Sequence, residues 1–164
     1  MTQNERIAKL LALHGLELAR HLRRLVRDSD AAQDLLQDTL LRAHRALTRL
    51  GPGANERAWL YRIATNAALN YLRSRSRERR ALERHAGEVN GHGSWAGWEG
   101  ETDERRAALW NGIAALPERQ RVAITLRLAD ELDYQAIGER MGCSAEAARA
   151  NVYQATKRLK LEVT

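Results

Sequence analysis

One stretch of the chain, residues 55–80, carries amide and guanidinium side chains at the spacing of a single helix face. The members of this Arg–Asn row are Arg62, Asn66, Asn70, Arg73 and Arg77. Such side chains hydrogen-bond to base edges and phosphates, so a rigid row of them suits nucleic acid. Trp59 and Tyr61 stand at its start, where an aromatic ring can stack on an unpaired base. An ordinary basic surface helix with Trp59 in the core is the alternative.

A second set of charged side chains has the opposite sign. Asp30, Asp34 and Asp38 lie four residues apart on a predicted helix, with Gln37 beside them. Like charges at this spacing destabilise a helix by about 0.2–0.5 kcal/mol per pair. Presentation to a basic partner would explain the stripe, and a solvated face relieved by the nearby Arg42 explains it equally well. No His or Cys lies at matching spacing, so neither a metal site nor acid–base chemistry is predicted there.

The C-terminal stretch has the pattern of a helix-turn-helix motif. A short helix from Tyr134 to Met141 is followed by the tight turn 142–144 and a longer helix from Ala145 to Leu161. The side chains predicted to pack inward are Ile137, Ala148, Val152, Ala155 and Leu159. The remaining surface carries Arg149, Asn151, Tyr153, Gln154, Lys157 and Arg158. A helical hairpin could have this pattern without DNA, but the turn, the basic second helix and the overall charge favour DNA.

Two further helices must position these side chains. The first is predicted over Asn4 to Arg27, and the second over Ala31 to Leu50 after a cap at Ser29 or Asp30. Together with 55–80 they form a compact antiparallel bundle. The predicted core positions are Ile7, Leu10, Leu11, Leu18 and Leu25 of the first helix, Leu36, Leu40, Ala43, Leu47 and Leu50 of the second, and Leu60, Ile63, Ala64, Ala67, Ala68 and Tyr71 of the third.

Composition changes between His85 and Asp103, where five glycines occur without helical periodicity. This segment is predicted to be a flexible linker. Helices resume at Glu104, and Pro117 starts another helix that runs from Glu118 to Leu128. The predicted fold is therefore all-α, with two small helical domains, residues 1–84 and 104–164, joined by a linker over 85–103.

The bulk composition narrows the classes of function. The 164 residues carry a net charge of +6, so nucleic acid or an anionic membrane is the expected partner. No apolar run approaches the roughly 20 residues of a membrane span, and the N-terminus does not have the pattern of a signal peptide. The single cysteine fits the reducing cytoplasm. Five scattered histidines and no Gly-rich phosphate loop argue against an enzyme, and no cofactor is predicted.

Three blocks of sequence resemble the extracytoplasmic-function (ECF) class of sigma-70 factors, the small two-domain initiation factors of bacterial RNA polymerase. Residues 30–47 resemble the polymerase-binding helix of the family. Residues 56–77 resemble its promoter-melting and minus-ten helix, and residues 115–144 resemble the first part of its minus-thirty-five module. The blocks occur in the family's order and spacing, which makes the resemblance far more specific than a helix-turn-helix motif alone.

The resemblance implies roles for individual residues. Binding to the coiled coil of the beta-prime subunit is implied for Asp30, Asp34, Leu35, Gln37, Asp38, Leu41 and Arg42. Contact with the minus-ten element is implied for Gly51, Gly53, Asn55, Trp59, Tyr61, Arg62, Asn66, Asn70, Arg73 and Arg77. Contact with the minus-thirty-five element is implied for Ser144, Glu146, Arg149, Ala150, Asn151, Tyr153, Gln154 and Lys157. The beta flap of the polymerase and an anti-sigma factor are further implied partners.

A stand-alone helix-turn-helix repressor or activator is the alternative function. Such a protein would bind duplex DNA by itself as a symmetric dimer. The sequence has no heptad seam for dimerisation. The sequence therefore favours an initiation factor without catalytic activity of its own.

Overall fold

The computed structural model describes residues 1–86 and 104–163, and these two ranges form seven α-helices, one 3-10 turn and no strand. The all-α prediction is confirmed. The helices are α1 Gln3–Val26, α2 Ser29–Ala46, α3 Glu56–Ala86, α4 Glu104–Ala114, α5 Glu118–Leu128, α6 Tyr134–Met141 and α7 Ala145–Val163.

A sharp reversal of the chain separates α1 from α2. α1 ends at Val26, and the next residue, Arg27, has a φ of 59° in the left-handed region. Asp28 then caps α2, because its carboxylate accepts hydrogen bonds from the backbone N–H groups of Asp30 at 3.0 Å and Ala31 at 3.1 Å. The predicted cap at Ser29 or Asp30 is wrong. Asp28 is the residue with an extended backbone before the first helical turn, so only its side chain reaches these donors.

The joint between α2 and α3 fixes where the Arg–Asn row begins. After Ala46 the chain tightens into a 3-10 turn over Leu47–Arg49. Gly53 then adopts a φ of 79°, a conformation that favours glycine. The side chain of Asn55 accepts a hydrogen bond from the backbone N–H of Ala58 at 3.0 Å, which satisfies a free donor in the first turn of α3.

The first three helices enclose one apolar core. Leu18, Leu22 and Leu25 of α1 are fully buried, as are Leu60 and Ala64 of α3. The other predicted core positions of the second and third helices are buried or partly buried.

The predicted inward position of Leu11 is wrong, because its side chain is 42% exposed. A Cβ atom on Gly15 would lie 2.7 Å from Leu11 Cδ1. The Leu11 side chain therefore occupies the space beside Gly15, one turn further along α1, where any other residue would place its Cβ atom.

Helices α4 to α7 add their buried side chains to the same hydrophobic cluster. Ile113, Val122 and Leu126 are buried there. All five side chains predicted to pack inward from the helix-turn-helix stretch are buried, and α6 and the start of α7 have the predicted bounds. The sequence pattern therefore predicted α6, the start of α7 and their buried side chains correctly.

The predicted linker differs from the structure at its first residues. α3 continues through Ala86, beyond the predicted end at Arg80. Arg, Glu, Ala and Leu favour helix, and Gly87 is the first residue that interrupts the pattern. The remaining predicted linker, residues 87–103 with Trp95 and Trp98, lies outside the described residues. The domain boundaries at 84 and 104 stay a prediction.

The cap of α2 gives a direct test of the reversal. We expect Asp28→Ala to lower the free energy of unfolding by about 1 kcal/mol, because two backbone donors lose their acceptor. Asp28→Asn keeps the acceptor and should cost much less. Ser29→Ala is the matched control in the next position. Urea unfolding followed by circular dichroism measures all three, and equal losses for Asp28→Ala and Ser29→Ala would contradict the assignment.

Candidate nucleic-acid interface

The Arg–Asn row lies on the outward side of α3. Arg62, Asn70, Arg73 and Arg77 are exposed, and Asn66 is half-buried. The opposite side of α3 faces the core of the first bundle. The row is therefore accessible along its length and held straight by a helix that cannot rotate without exposing its apolar side.

Further arginines extend the positive charge toward the end of α3. Arg75 donates to the hydroxyl of Tyr71 at 2.9 Å and lies 3.8 Å from the carboxylate of Asp28. Arg79 lies 3.8 Å from Glu83, in an exposed pair that contributes little to stability. This part of α3 presents mainly positive charge, which suits the phosphate backbone of a duplex.

The two aromatic side chains at the start of α3 have different surroundings. Trp59 is half-buried, but Tyr61 is only 2% exposed. The Tyr61 ring lies under the guanidinium of Arg140, 4.1 Å from the ring centroid. Burial, together with a hydrogen bond to Glu17, raises the pKa of the Tyr61 hydroxyl above its usual value. Tyr61 cannot stack on a base in this arrangement, and its predicted contact with DNA stays a prediction.

The loop before α3 carries the other residues that the resemblance assigns to the minus-ten element. Gly51, Gly53 and Asn55 are all exposed. The backbone N–H of Ala54 donates to the carbonyl of Gly51 at 3.3 Å, which closes the loop into a turn. Because Asn55 also caps α3, its side chain joins the loop rigidly to the helix.

The acidic face of α2, which we define as Asp30, Asp34, Gln37 and Asp38, points away from α1 and α3. Asp30, Asp34 and Gln37 are exposed, and the carboxylate of Asp38 pairs with Arg42 at 2.9 Å. Beside them, Leu41 leaves 59% of its surface exposed. A single exposed leucine is ordinary on a protein surface, so both the docking surface and the solvated face remain open as readings of this side of α2.

Leu35 lies elsewhere. It is 8% exposed and belongs to the apolar core beneath the acidic face. Its predicted contact with the polymerase stays a prediction, and in this structure its packing supports the residues around it.

The second helix of the helix-turn-helix motif presents its predicted reading residues to solvent. Glu146, Arg149, Ala150, Gln154 and Lys157 are exposed, and Tyr153 is 64% exposed. Asn151 is half-buried and donates to the carbonyl of Ala147 at 2.9 Å. Ser144 accepts a hydrogen bond from the backbone N–H of Ala147 at 3.1 Å, so it caps α7.

The turn of the motif depends on two glycines. Gly142 has a φ of 69°, where glycine is favoured. A Cβ atom on Gly138 would lie 2.6 Å from the backbone oxygen of Cys143, so only glycine lets the turn approach α6 this closely. These two positions set the angle at which α7 leaves α6.

The two bundles are packed against each other. α3 contacts α5 and α6, and α1 contacts α5. An open cleft of about 510 Å³ lies where the start of α3 faces the turn of the motif. Its walls include Trp59 and Arg62 on one side and Glu139, Cys143 and Ser144 on the other.

Sequence reasoning missed the residues that hold this contact. His21, Asp130 and Arg140 come together from α1, the turn after α5, and α6. His21 lies 109 positions before Asp130, so no periodic signal in the sequence could have brought the three together.

Within the described ranges, 1–86 and 104–163, no group of three or more His, Cys, Asp and Glu side chains could hold a metal ion. The described helices also include none that is both long and apolar enough to cross a bilayer.

Comparison with known proteins identifies both bundles. The family model described as sigma-70 region 2 matches residues 10–78, and that described as sigma-70, region 4 matches residues 106–159. The ECF RNA polymerase sigma-E factor of Escherichia coli K12 is 30% identical over 138 residues, which cover 79% of this chain and 72% of that protein. The RNA polymerase sigma-H factor of Pseudomonas aeruginosa is 33% identical over 140 residues, which cover 80% of this chain and 72% of that protein. This chain belongs to the ECF sigma factors.

Solved structures show the same fold across both regions. The sigma factor RpoE of Bartonella quintana, solved in complex with the anti-sigma factor NepR, aligns with a TM-score of 0.69 at 26% identity, over 95% of each chain. CnrH, solved in complex with the cytosolic domain of CnrY, aligns with a TM-score of 0.65 at 23% identity, over 98% of this chain and 88% of that one. The family predicted from the three sequence blocks is thus confirmed.

In this sigma factor, region 2 corresponds to α1–α3 and region 4 to α4–α7. The Arg–Asn row and the acidic face therefore lie in region 2, on different helices, and the exposed side of α7 lies in region 4. The individual contacts assigned to these residues stay predictions.

The close approach at Gly138 gives a test of region 4. We expect Gly138→Ala to destabilise this sigma factor by about 1–3 kcal/mol, because the added methyl group meets backbone atoms that cannot move independently. Gly51→Ala is the matched control, since its Cβ meets nothing within 4 Å. Thermal unfolding measures both, and equal melting temperatures for the two variants would contradict the role of Gly138.

Proposed function

We propose that this ECF sigma factor binds core RNA polymerase and directs promoter recognition, DNA melting and transcription initiation. The observation that carries the proposal is the presence, in one chain, of region 2 and region 4 in the family's order, each with an exposed polar helix face. Two such faces can contact one promoter at two places. The polymerase supplies the chemistry, and we expect no catalytic activity from this chain.

The acidic face of α2 is the proposed contact with the polymerase. Its carboxylates would attract basic side chains on the coiled coil of the beta-prime subunit. The exposed Leu41 adds an apolar side chain at the edge of the face. Electrostatic complementarity of this kind directs the encounter and rejects wrong partners. The negative face lies on a different helix from the Arg–Asn row, so the polymerase and DNA do not compete for the same side of region 2.

The start of α3 is the proposed site of minus-ten recognition and melting. Arg62 and Asn70 are exposed and rigidly held, and the loop with Gly51 and Gly53 is open to solvent. Unstacking a base costs a few kcal/mol, which contacts to the flipped base can offset. Melting therefore requires no energy source beyond binding the separated strand more tightly than the duplex.

The exposed side of α7 is the proposed reader of the minus-thirty-five element in the major groove. Arg149 and Gln154 carry the amide and guanidinium donors that pair with base edges, and Tyr153 offers an apolar ring. Lys157 can neutralise a phosphate, which adds affinity without sequence preference.

An anti-sigma factor is the proposed regulatory partner, and the cytoplasm is the proposed location. One structural relative, the sigma factor RpoE, was solved in complex with the anti-sigma factor NepR. A partner of this class would have to block the acidic face, the start of α3 or the exposed side of α7, because these are the surfaces that the proposed function uses.

Reversal of charge on α2 tests the polymerase contact. We expect Asp34→Lys to weaken binding to core polymerase by at least about 100-fold, because like charges placed in contact cost several kcal/mol. Asp34 is exposed, so the fold should survive. Glu83→Lys changes the net charge equally at an exposed position on α3 and should bind normally. Fluorescence anisotropy with labelled protein measures both, and normal binding by Asp34→Lys would refute the contact.

Removal of single side chains from the Arg–Asn row tests the role in melting. We expect Arg62→Ala to reduce open-complex formation on duplex promoter about 10- to 100-fold, since a hydrogen bond to a charged group contributes about 1.5–3 kcal/mol. Arg45→Ala removes the same charge from an exposed position on α2 and is the control. Permanganate footprinting measures the melted bases. Equal footprints for both variants would contradict the proposed role of Arg62 in melting.

A further inference from the structure

The outward side of α1 exposes several leucines that lie close together. Three of the large apolar side chains that remain exposed in the described residues fall within six positions: Leu11 at 42%, Leu13 at 63% and Leu16 at 69%. A scattered exposed leucine is ordinary, but adjoining ones on a single helix form a patch of the kind that marks an interaction surface. The described part of the chain packs nothing over this patch.

Basic side chains follow the same line along the helix. Lys9, Leu13, Leu16, Arg20 and Arg23 occur at steps of four, three, four and three residues, so they share one side of α1. All five are exposed. We call these five residues the outer face of α1. Leucines and cations thus form one surface rather than two separate ones.

No carboxylate neutralises the outer face. Glu17 is the only acidic residue over positions 7–26, and it pairs with Arg57 of α3. Within residues 1–86 and 104–163, the basic side chains of α1 that lie within ion-pair distance of a carboxylate are others: Arg6, His14, His21 and Arg24. The positive charge of the outer face is therefore available to an anionic partner.

The mixture of leucines and cations fits a lipid surface better than a protein. The centre of a protein interface is depleted in charge, and its anchoring side chains enter pockets. The outer face is instead the convex ridge of one helix, with charge along its whole length. At a bilayer, leucines enter the boundary beneath the headgroups, while long basic side chains extend to the lipid phosphates.

Nucleic acid is a poorer match for the same surface. Phosphates of a duplex would pair with the cations, but they would gain nothing from Leu13 and Leu16. The basic part of α3 already offers guanidinium groups without exposed leucines between Arg73 and Arg80.

We propose that the outer face of α1 binds the surface of a bilayer that contains anionic lipids. Leu13 and Leu16 enter the interfacial layer, and Lys9, Arg20 and Arg23 contact lipid phosphates. The contact is peripheral and reversible, because a few leucines and cations bind far more weakly than a helix that spans the bilayer. The inference goes beyond the proposed function and does not rest on it, since α1 carries none of the residues assigned to polymerase or DNA.

The fold presents this surface without rearrangement. The opposite side of α1 is fixed in the core, where Leu18, Leu22 and Leu25 are fully buried. Binding therefore requires no unfolding of region 2, and the leucines are already in place before the lipid is met.

Sedimentation with lipid vesicles tests the binding. We expect the full chain to bind vesicles of equal parts phosphatidylcholine and phosphatidylglycerol at least about tenfold more strongly than vesicles of phosphatidylcholine alone, because each cation near an anionic surface adds affinity. Added salt should reduce this preference. Equal binding to both kinds of vesicle, or binding to neither, would overturn the proposal.

The apolar part of the contact is tested by Leu16→Gln. We expect about three- to tenfold weaker binding to the anionic vesicles, because the variant loses apolar area that the bilayer would cover. Leu82→Gln is the matched control, since Leu82 is 64% exposed among the arginines at the end of α3. It should bind as the unchanged protein does. Equal losses for the two variants, or no loss for Leu16→Gln, would refute the role of the leucines.

The electrostatic part is tested by Arg20→Gln. We expect about fivefold weaker binding to the anionic vesicles. Arg45→Gln removes the same charge from an exposed position on α2 and should bind normally. If both variants lose the same affinity, binding follows the net charge of the chain, and the assignment to α1 is wrong.

An environment-sensitive fluorophore locates the contact. Cys143→Ser removes the single cysteine, so Ala12→Cys in that background gives one labelling site on α1. Ala81→Cys gives the matched site among the arginines of α3, and both alanines are exposed. We expect the emission of the label at position 12 to shift to shorter wavelength with anionic vesicles, and the label at position 81 to stay unchanged. A shift at position 81 alone would overturn the proposal.

Sedimentation equilibrium without lipid tests a second copy of the chain as the occupant. We expect the unchanged protein and Leu16→Gln to have the same molecular mass at every concentration. A dimer that Leu16→Gln dissociates, together with equal vesicle binding by both proteins, would assign the outer face to self-association and overturn the proposal. These measurements use neither polymerase nor DNA, so their outcome is independent of the proposed function.

Discussion

The burial of one side of α3 is the constraint on which the rest of the structure depends. Leu60, Ala64 and Ala68 are fully buried, and α3 packs against both α1 and α2. Because this side is fixed inward, the Arg–Asn row must face outward, and the start of the helix is seen to face the turn of region 4. One helix therefore serves as core, as proposed DNA contact and as docking surface for region 4.

Charges of opposite sign are kept on separate faces of region 2. The acidic face lies on α2 and the Arg–Asn row on α3, so each can attract a different partner. The overall positive charge favours the approach of DNA, and the local negative face favours a basic protein surface. The carboxylate of Asp130 uses the same attraction inside the molecule toward His21, Arg24 and Arg140, where burial makes the attraction stronger and also more costly.

Local sequence patterns predicted the helices and most of the core, because periodicity and turn residues act over a few positions. The bounds of α6 and the inward side of α7 followed from such patterns. The cap at Asp28 and the exposure of Leu11 could not be predicted from such patterns, since each depends on the backbone of a neighbouring turn. The contact between Arg24 and Asp130 joins residues 106 positions apart, and only the packing of the two regions brings them together.

Transcription with purified components tests the central claim most directly. Core RNA polymerase, this sigma factor and genomic DNA of the host are incubated together, and the 5′ ends of the transcripts are mapped. The account predicts 5′ ends that appear only with the factor and share two upstream elements at fixed distances, one for region 2 and one for region 4. A set of 5′ ends that is identical with and without the factor would contradict it.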